Sequence, residues 1–244
     1  MFTWLNQKFL APKAFYQTSG KLLPWLQIAF ILSFSYGLIA GLFIAPKDYQ
    51  QGDAFRIIYV HVPSAFTAMM IYLVMAISAV LTLVFRIKIA ALCMATSAKI
   101  GAWFTLLALV TGSIWGKPMW GTWWIWDARL TSVLILLFLY WGFIALQSVM
   151  TNQQSRDRAG AIMAIVGVIN LPIIHYSVVW WNTLHQGPTI SKLAAPSIAP
   201  AMLYPLLAMI AAFFLFYSVM LIMRMRNQIV LREIKSQWIK EEFA

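Results

Sequence analysis

Six runs of mainly apolar residues, each close to the length that crosses the hydrocarbon core of a bilayer as an α-helix, restrict this chain more than any other feature. They cover residues 24–45, 62–85, 89–115, 130–150, 159–180 and 201–223. A membrane span must satisfy its own backbone hydrogen bonds, so the expected fold is an all-α polytopic bundle of six transmembrane helices. Residues are 62% hydrophobic and only 10% charged, against about half and about a quarter in soluble domains, which excludes an ordinary soluble domain. The first run follows Lys8, Lys13 and Lys21, as a signal sequence would. Its apolar core exceeds the about 7–15 residues of a signal segment, so a retained anchor is expected. Neither an internal repeat nor a low-complexity linker divides residues 1–244, so one integral membrane domain is expected.

A formal charge of +11 could suggest nucleic acid, but the cations sit at the ends of apolar runs and form no stripe that tracks a phosphate backbone. No nucleic-acid partner is expected; membrane topology explains the charge. With the N-terminus inside, the inner segments hold Lys8, Lys13, Lys21, Arg86, Lys88, Lys99, Arg156, Arg158, Arg224, Arg226, Arg232, Lys235 and Lys240. The outer segments hold only Lys47, Arg56, Lys117, Arg129 and Lys192. Thirteen against five places both termini in the cytoplasm and three loops outside. Lys99, inside the third run, must snorkel or pair. The inner connections carry no phosphate-binding loop, so ATP hydrolysis has to come from another chain. The tail, residues 224–244, mixes both charge signs with Trp238 and reads as a short interfacial helix, or else a docking surface for a cytoplasmic partner. Cys93, the only cysteine, falls within the third run and reads as a small packing residue.

Chemistry gathers in the outer connections. The first runs to His61-Val-Pro63, and proline's tolerance in a first helical turn predicts that the second helix starts at Pro63, with His61 at its lip. The second, about residues 115–129, places Trp115, Trp120, Trp123, Trp124 and Trp126 within thirteen positions. Aromatic belts mark both faces of a membrane, but a belt spreads over both interfaces, whereas seven of the twelve tryptophans fall at the outer one. So dense a block of indoles suits a platform for a large flat apolar ligand.

All three histidines map to that same end: His61, His175 near the outer end of helix 5, and His185 in the third loop. Any one alone is readily satisfied by a backbone carbonyl or water. Two of them flanking an indole shelf match the axial ligation of haem iron, since a porphyrin is a flat apolar disc. His61 can pair with His185 or with His175. Pro172 should kink helix 5 and release a carbonyl that His175 could satisfy, which favours a supporting role for His175. Asp127 and Arg129 stand where the chain enters helix 4, as a helix cap with a snorkelling arginine, or with Arg129 and Arg56 as forks for haem propionates.

The block Trp120-Gly-Thr-Trp-Trp-Ile-Trp-Asp127 resembles the WWD signature of haem-handling membrane proteins of cytochrome c maturation. Six helices, Tyr59-Val-His61-Val-Pro63, Ile174-His-Tyr-Ser177 and Trp180-Trp-Asn-Thr-Leu-His-Gln-Gly187 make the chain similar to the CcmC family within that group. The resemblance implies haem b held at the outer, periplasmic face of the bacterial inner membrane, with His61 and His185 as axial ligands and Trp120, Trp123, Trp124, Trp126, Asp127, Arg129 and Arg56 around it. It further implies presentation of haem to the chaperone CcmE, with CcmA, CcmB and CcmD in the same assembly. Positioning rather than acid–base catalysis is then the expected contribution. Two rival classes are a transporter subunit that moves haem or another solute, and a b-type electron-transfer cytochrome. The first needs polar groups along a path at mid-membrane, and the second needs histidines inside the bilayer; neither accounts for the tryptophan loop.

Overall fold

The computed structural model describes residues 11–181, 183–185, 187 and 195–243. Lys8 and Lys192 of the charge distribution, and Asn182, Gln186 and Pro188 of the third loop, lie outside the described residues. The helices are α1 (Pro12–Ile39), continued by a π-helical turn (Ala40–Ile44), α2 (Ile58–Phe85), α3 (Lys88–Trp120), α4 (Ala128–Val149), α5 (Gln153–Gly167), α6 (Asn170–Trp180), α7 (Pro200–Arg232) and α8 (Gln237–Glu242). A 3₁₀ turn, Asp53–Ile57, leads into α2. Six segments are long and apolar enough to cross a membrane, with α5 and α6 together forming the fifth, and no strand occurs among the described residues.

Lipid tails are as apolar as leucine, so helices in a bilayer associate through close packing and interhelical hydrogen bonds more than through apolar burial. The bundle follows that logic. Ala68, Ala79, Ala98, Ala161 and Ala164 are buried, which lets helix backbones approach. Gly101 lies directly under the Tyr140 ring, and the Tyr140 hydroxyl donates to the Ala68 carbonyl at 2.7 Å, joining α4 to α2 across α3. Ser97 and Tyr217 share a hydrogen bond of 2.8 Å between α3 and α7. α1 stays at the periphery along α7, where Ser33 donates to the Ala208 carbonyl at 2.8 Å.

Several helix limits differ from the sequence expectation, among them the start of the fifth span at Gln153. α2 starts at Ile58 instead of Pro63, because the preceding 3₁₀ turn supplies its first turn and Tyr59 is buried in the bundle. Pro63 therefore lies inside the helix, and His61 stands in its first turn, partly buried. α3 continues to Trp120, so Trp115 and Trp120 are helical and only residues 121–127 form the connection. α1 begins at Pro12, twelve residues before the apolar run, and α7 extends to Arg232, so residues 224–232 of the tail continue the sixth span and α8 is separate. These polar extensions hold each other: Tyr16, Ile87, Ile89, Met225 and Ile229 form a second apolar cluster, and the Arg226 guanidinium lies 3.7 Å over the Tyr16 ring.

The fifth span breaks where proline chemistry places it. Pro172 has no N–H for the Val168 carbonyl, and that carbonyl instead accepts from Leu171 at 3.0 Å. The result is the interruption between α5 and α6.

Candidate functional site

The connections following α1, α3 and α6 meet at one end of the bundle, around His61. The His61 ring turns onto α3 over Gly112, where a Cβ would come within 2.9 Å of ring carbon Cε1. His61 Nδ1 lies 3.0 Å from the Ala108 carbonyl and 3.2 Å from Thr111 Oγ1. A carbonyl only accepts, and the Thr111 hydroxyl is already donated to the Leu107 carbonyl at 2.7 Å. The proton of a neutral His61 therefore sits on Nδ1, and Nε2 keeps its lone pair. A backbone carbonyl on the far nitrogen is a common way of fixing the tautomer and orientation of a metal-binding histidine. On its flank, Trp115 stands edge-on to the imidazole at 5.6 Å, and its Nε1 donates to Gln51 Oε1 at 2.9 Å.

His185 comes from the connection after α6. Thr183 donates to Asp127 Oδ2, and its oxygen accepts the His185 amide at 3.1 Å. Asp127 also caps α4, its Oδ1 accepting the Leu130 amide at 2.8 Å. One carboxylate thus joins the tryptophan connection, the start of α4 and the third loop. The His185 ring lies 6.1 Å from Trp120 and 6.5 Å from His61, centroid to centroid, with the two imidazole planes 38° apart. Metal–nitrogen bonds of about 2.0 Å from one ion to a nitrogen of each ring would put the centroids roughly 6 Å apart. The separation of the two rings is close to what one ion held between two imidazoles would require.

The tryptophan connection is built to stay open. Gly121, at φ 76°, ends α3 in the left-handed conformation that glycine adopts without strain. Lys117 donates to the Gly121 carbonyl at 3.0 Å, and Ser113 to the Trp123 carbonyl at 2.8 Å, which pins the backbone of the connection. Trp123 and Trp126 are exposed, at 56% and 78%. Trp124 packs edge-on against Trp126 at 5.5 Å, and its buried Nε1 has no hydrogen-bond partner among the described residues. An unpaired buried N–H beside bare indole faces suits a flat ligand with polar edge groups.

The two arginines differ. Arg129 points its Nε to Ser177 Oγ at 2.9 Å, with a longer contact of 3.5 Å to the His175 carbonyl, and thus spans α4 and α6 at the site's edge. Arg56 is turned to Asp53 at 3.1 Å and the Gly41 carbonyl at 2.9 Å, where with Lys47 it clips the first connection shut. His175 is exposed on α6 with its ring against Tyr176 at 4.8 Å, and the imidazole beside His61 is that of His185. The carbonyl released by Pro172 is taken by an amide, not by the His175 ring.

Several residues at this site are given no role by the sequence, although Thr183 and Ser177 lie in segments that carry the family resemblance. Thr183 and Thr111 hold the two histidine segments, Ala108 acts through its backbone, Ser177 aims Arg129, and Gln51 holds Trp115. Outside those segments only Thr111 offers a signal, lying one helical turn before Trp115 on the face that meets His61.

The chain is similar to known proteins along nearly its whole length. The family profile CcmC, Heme exporter protein C, matches residues 5–240. The chain is 52% identical to Heme exporter protein C of Escherichia coli (strain K12) over 99% of its own length and 97% of that protein's. It is 49% identical to Heme exporter protein C of Haemophilus influenzae over 98% and 97%. A putative cytochrome c biosynthesis ccmC-like mitochondrial protein of Marchantia polymorpha is 50% identical over 78% of this chain and 80% of that protein.

Proposed function

The chain belongs to the CcmC family, Heme exporter protein C, and on that premise we propose that it holds haem b between His61 and His185 and presents it to the chaperone CcmE. Membership gives the coarser statement directly: this is a multi-pass membrane protein of the haem exporter system, with a role in haem handling for cytochrome c maturation. The finer reading rests chiefly on one observation, the 6.5 Å approach of two imidazoles from separate connections, one with its Nδ1 proton committed to a backbone carbonyl.

In this reading both termini are cytoplasmic and the site faces the periplasm, which the distribution of Lys and Arg supports. The His61 and His185 imidazoles take the two axial positions of the cargo iron. Trp120, Trp123, Trp124 and Trp126 offer indole faces to the macrocycle, and Arg129 is the better-placed fork for a propionate. Haem supplies the vinyl group to which the chaperone's histidine becomes bonded. The residues of this chain orient that edge and exclude competing axial ligands, a positioning role. CcmA, CcmB and CcmD complete the assembly in this reading, with nucleotide hydrolysis left to CcmA.

The test is an absorption spectrum with a pyridine haemochrome assay of the full chain, co-expressed with the chaperone and supplied with haem. The same is done for His61→Ala and His185→Ala. Haem in the parent protein, lost or spectrally altered in both variants, supports two-histidine ligation. Unchanged spectra and full transfer in both variants overturn it.

A further inference from the structure

The opposite end of the bundle carries a cleft of about 1140 Å³ between the ends of α5 and α7, with the turn joining α2 to α3 beneath it. It exists because α5 packs on α2 and α4 while α7 packs on α1, α2 and α3, leaving the two helices without extended contact with each other. Its lining has two characters. Leu83, Ile89, Leu92, Ile162 and Ile229 make it apolar, and Arg86, Lys88, Arg158 and Arg232 bring four cations to it.

Two carboxylates also line the cleft, but each is engaged within the fold. Asp157 accepts from Gln153 at 2.7 Å, and Glu233 accepts from the Trp238 indole at 2.6 Å. Among the described residues, no carboxylate lies within ion-pair distance of any of the four cations; the ion pairs found are those of Asp53 with Lys47 and Arg56, in the first connection at the other end. A second, independent feature is the backbone of Arg86. It is the one non-glycine residue at positive φ among the described residues, φ 54° and ψ 36°, in the left-handed cap position of α2 where glycine is the usual occupant. A strained, charged residue kept where glycine would relieve the strain points to a use for its side chain.

We propose that this cleft is a binding site for an anionic phospholipid, its phosphate held by Arg86, Arg158 and their neighbours and its first acyl carbons lying on the apolar lining. Unpaired cations over an apolar surface at the end of a helix bundle match the two halves of such a molecule. The reading is independent of the haem site at the other end.

The experiment is native mass spectrometry of the full chain in detergent, titrated with phosphatidylglycerol, with phosphatidylcholine, and with phosphatidylglycerol in the presence of excess inorganic phosphate. One phosphatidylglycerol is retained in preference to phosphatidylcholine, and inorganic phosphate does not displace it. Arg86→Gly and Arg158→Gln each lower retention about fivefold, whereas Arg86→Lys and Arg158→Lys keep it. Because glycine suits φ 54°, Arg86→Gly loses lipid without losing thermal stability, which separates binding from folding. Equal retention of the two lipids, retention unchanged in the neutral variants, or displacement by inorganic phosphate alone each overturns the proposal.

Discussion

The Thr183 hydroxyl donates to the Asp127 carboxylate, and this bond joins the connection carrying His185 to the one carrying the tryptophans. Asp127 meanwhile holds the first turn of α4 through the Leu130 amide. Thr183→Val removes the only side-chain group holding the His185 segment to Asp127 among the described contacts. A hydrogen bond to a charged group is worth about 1.5–3 kcal/mol, so haem retention is expected to fall by roughly tenfold or more. The melting temperature of the bundle should change little. Asp127→Ala adds the loss of a helix cap, about 1 kcal/mol, and should lower both. Haem per protein and thermal unfolding, measured on the same samples, separate the two effects.

Gly112 supplies the floor on which His61 lies. In Gly112→Ala the new methyl meets ring carbon Cε1 at 2.9 Å, and the imidazole is what gives way, since the other side is helix backbone. The expected outcome is a haem spectrum altered as in His61→Ala, with yield and helix content unchanged. A parent-like spectrum would show that the ring has more room than this contact allows.

Arg129 and Arg56 can be told apart. Lysine cannot reproduce the Nε bond from Arg129 to Ser177 and still present a fork at the site. Arg129→Lys should therefore reduce haem retention several-fold, while Arg56→Lys, acting on a clip to Asp53 and Gly41, should leave it near parent level. The readout is haem content after a fixed wash in detergent.

Gly101 tests the packing of the bundle itself. A Cβ there collides with the buried Tyr140 ring, and overpacking of this kind costs about 1–3 kcal/mol, so Gly101→Ala should melt earlier. Gly187→Ala, with nothing among the described residues within 4 Å of the added methyl, is the matched neutral control.

Orientation has a direct test. In a Cys93→Ser background, Gly187→Cys should react with a membrane-impermeant thiol reagent added to intact cells stripped of the outer membrane. Gln154→Cys should react only after the inner membrane is opened. The reverse pattern would invert the topology.

What the sequence revealed divides along physical lines. Continuous apolar runs are a strong signal, so all six spans were legible and only their ends were misplaced. The misplaced ends are polar extensions such as residues 12–23 and 224–232, which are helical because Tyr16, Met225 and Ile229 pack on one another, and hydropathy does not register such contacts. Pro63 does not mark the start of α2, because the 3₁₀ turn Asp53–Ile57 leads the chain into the helix at Ile58, before the proline is reached. Pro172 did not mislead, since a missing amide has the same local effect wherever the helix lies. At the site, the tryptophan block and the shared end of the three histidines were legible as composition and position. Which imidazole stands beside His61 is left open by composition and position and is given only by the family resemblance, because it depends on the Thr183–Asp127 bond between two loops. The carbonyl of Ala108 that orients His61 has no sequence signature at all.

The two histidines are mounted unequally, one set into a span and braced by backbone, the other hung from a surface connection by a threonine hydroxyl. In the proposed reading, the mounting that reaches the rest of the fold through a loop hydroxyl, and not the one set in a helix, is where release of the cargo would begin.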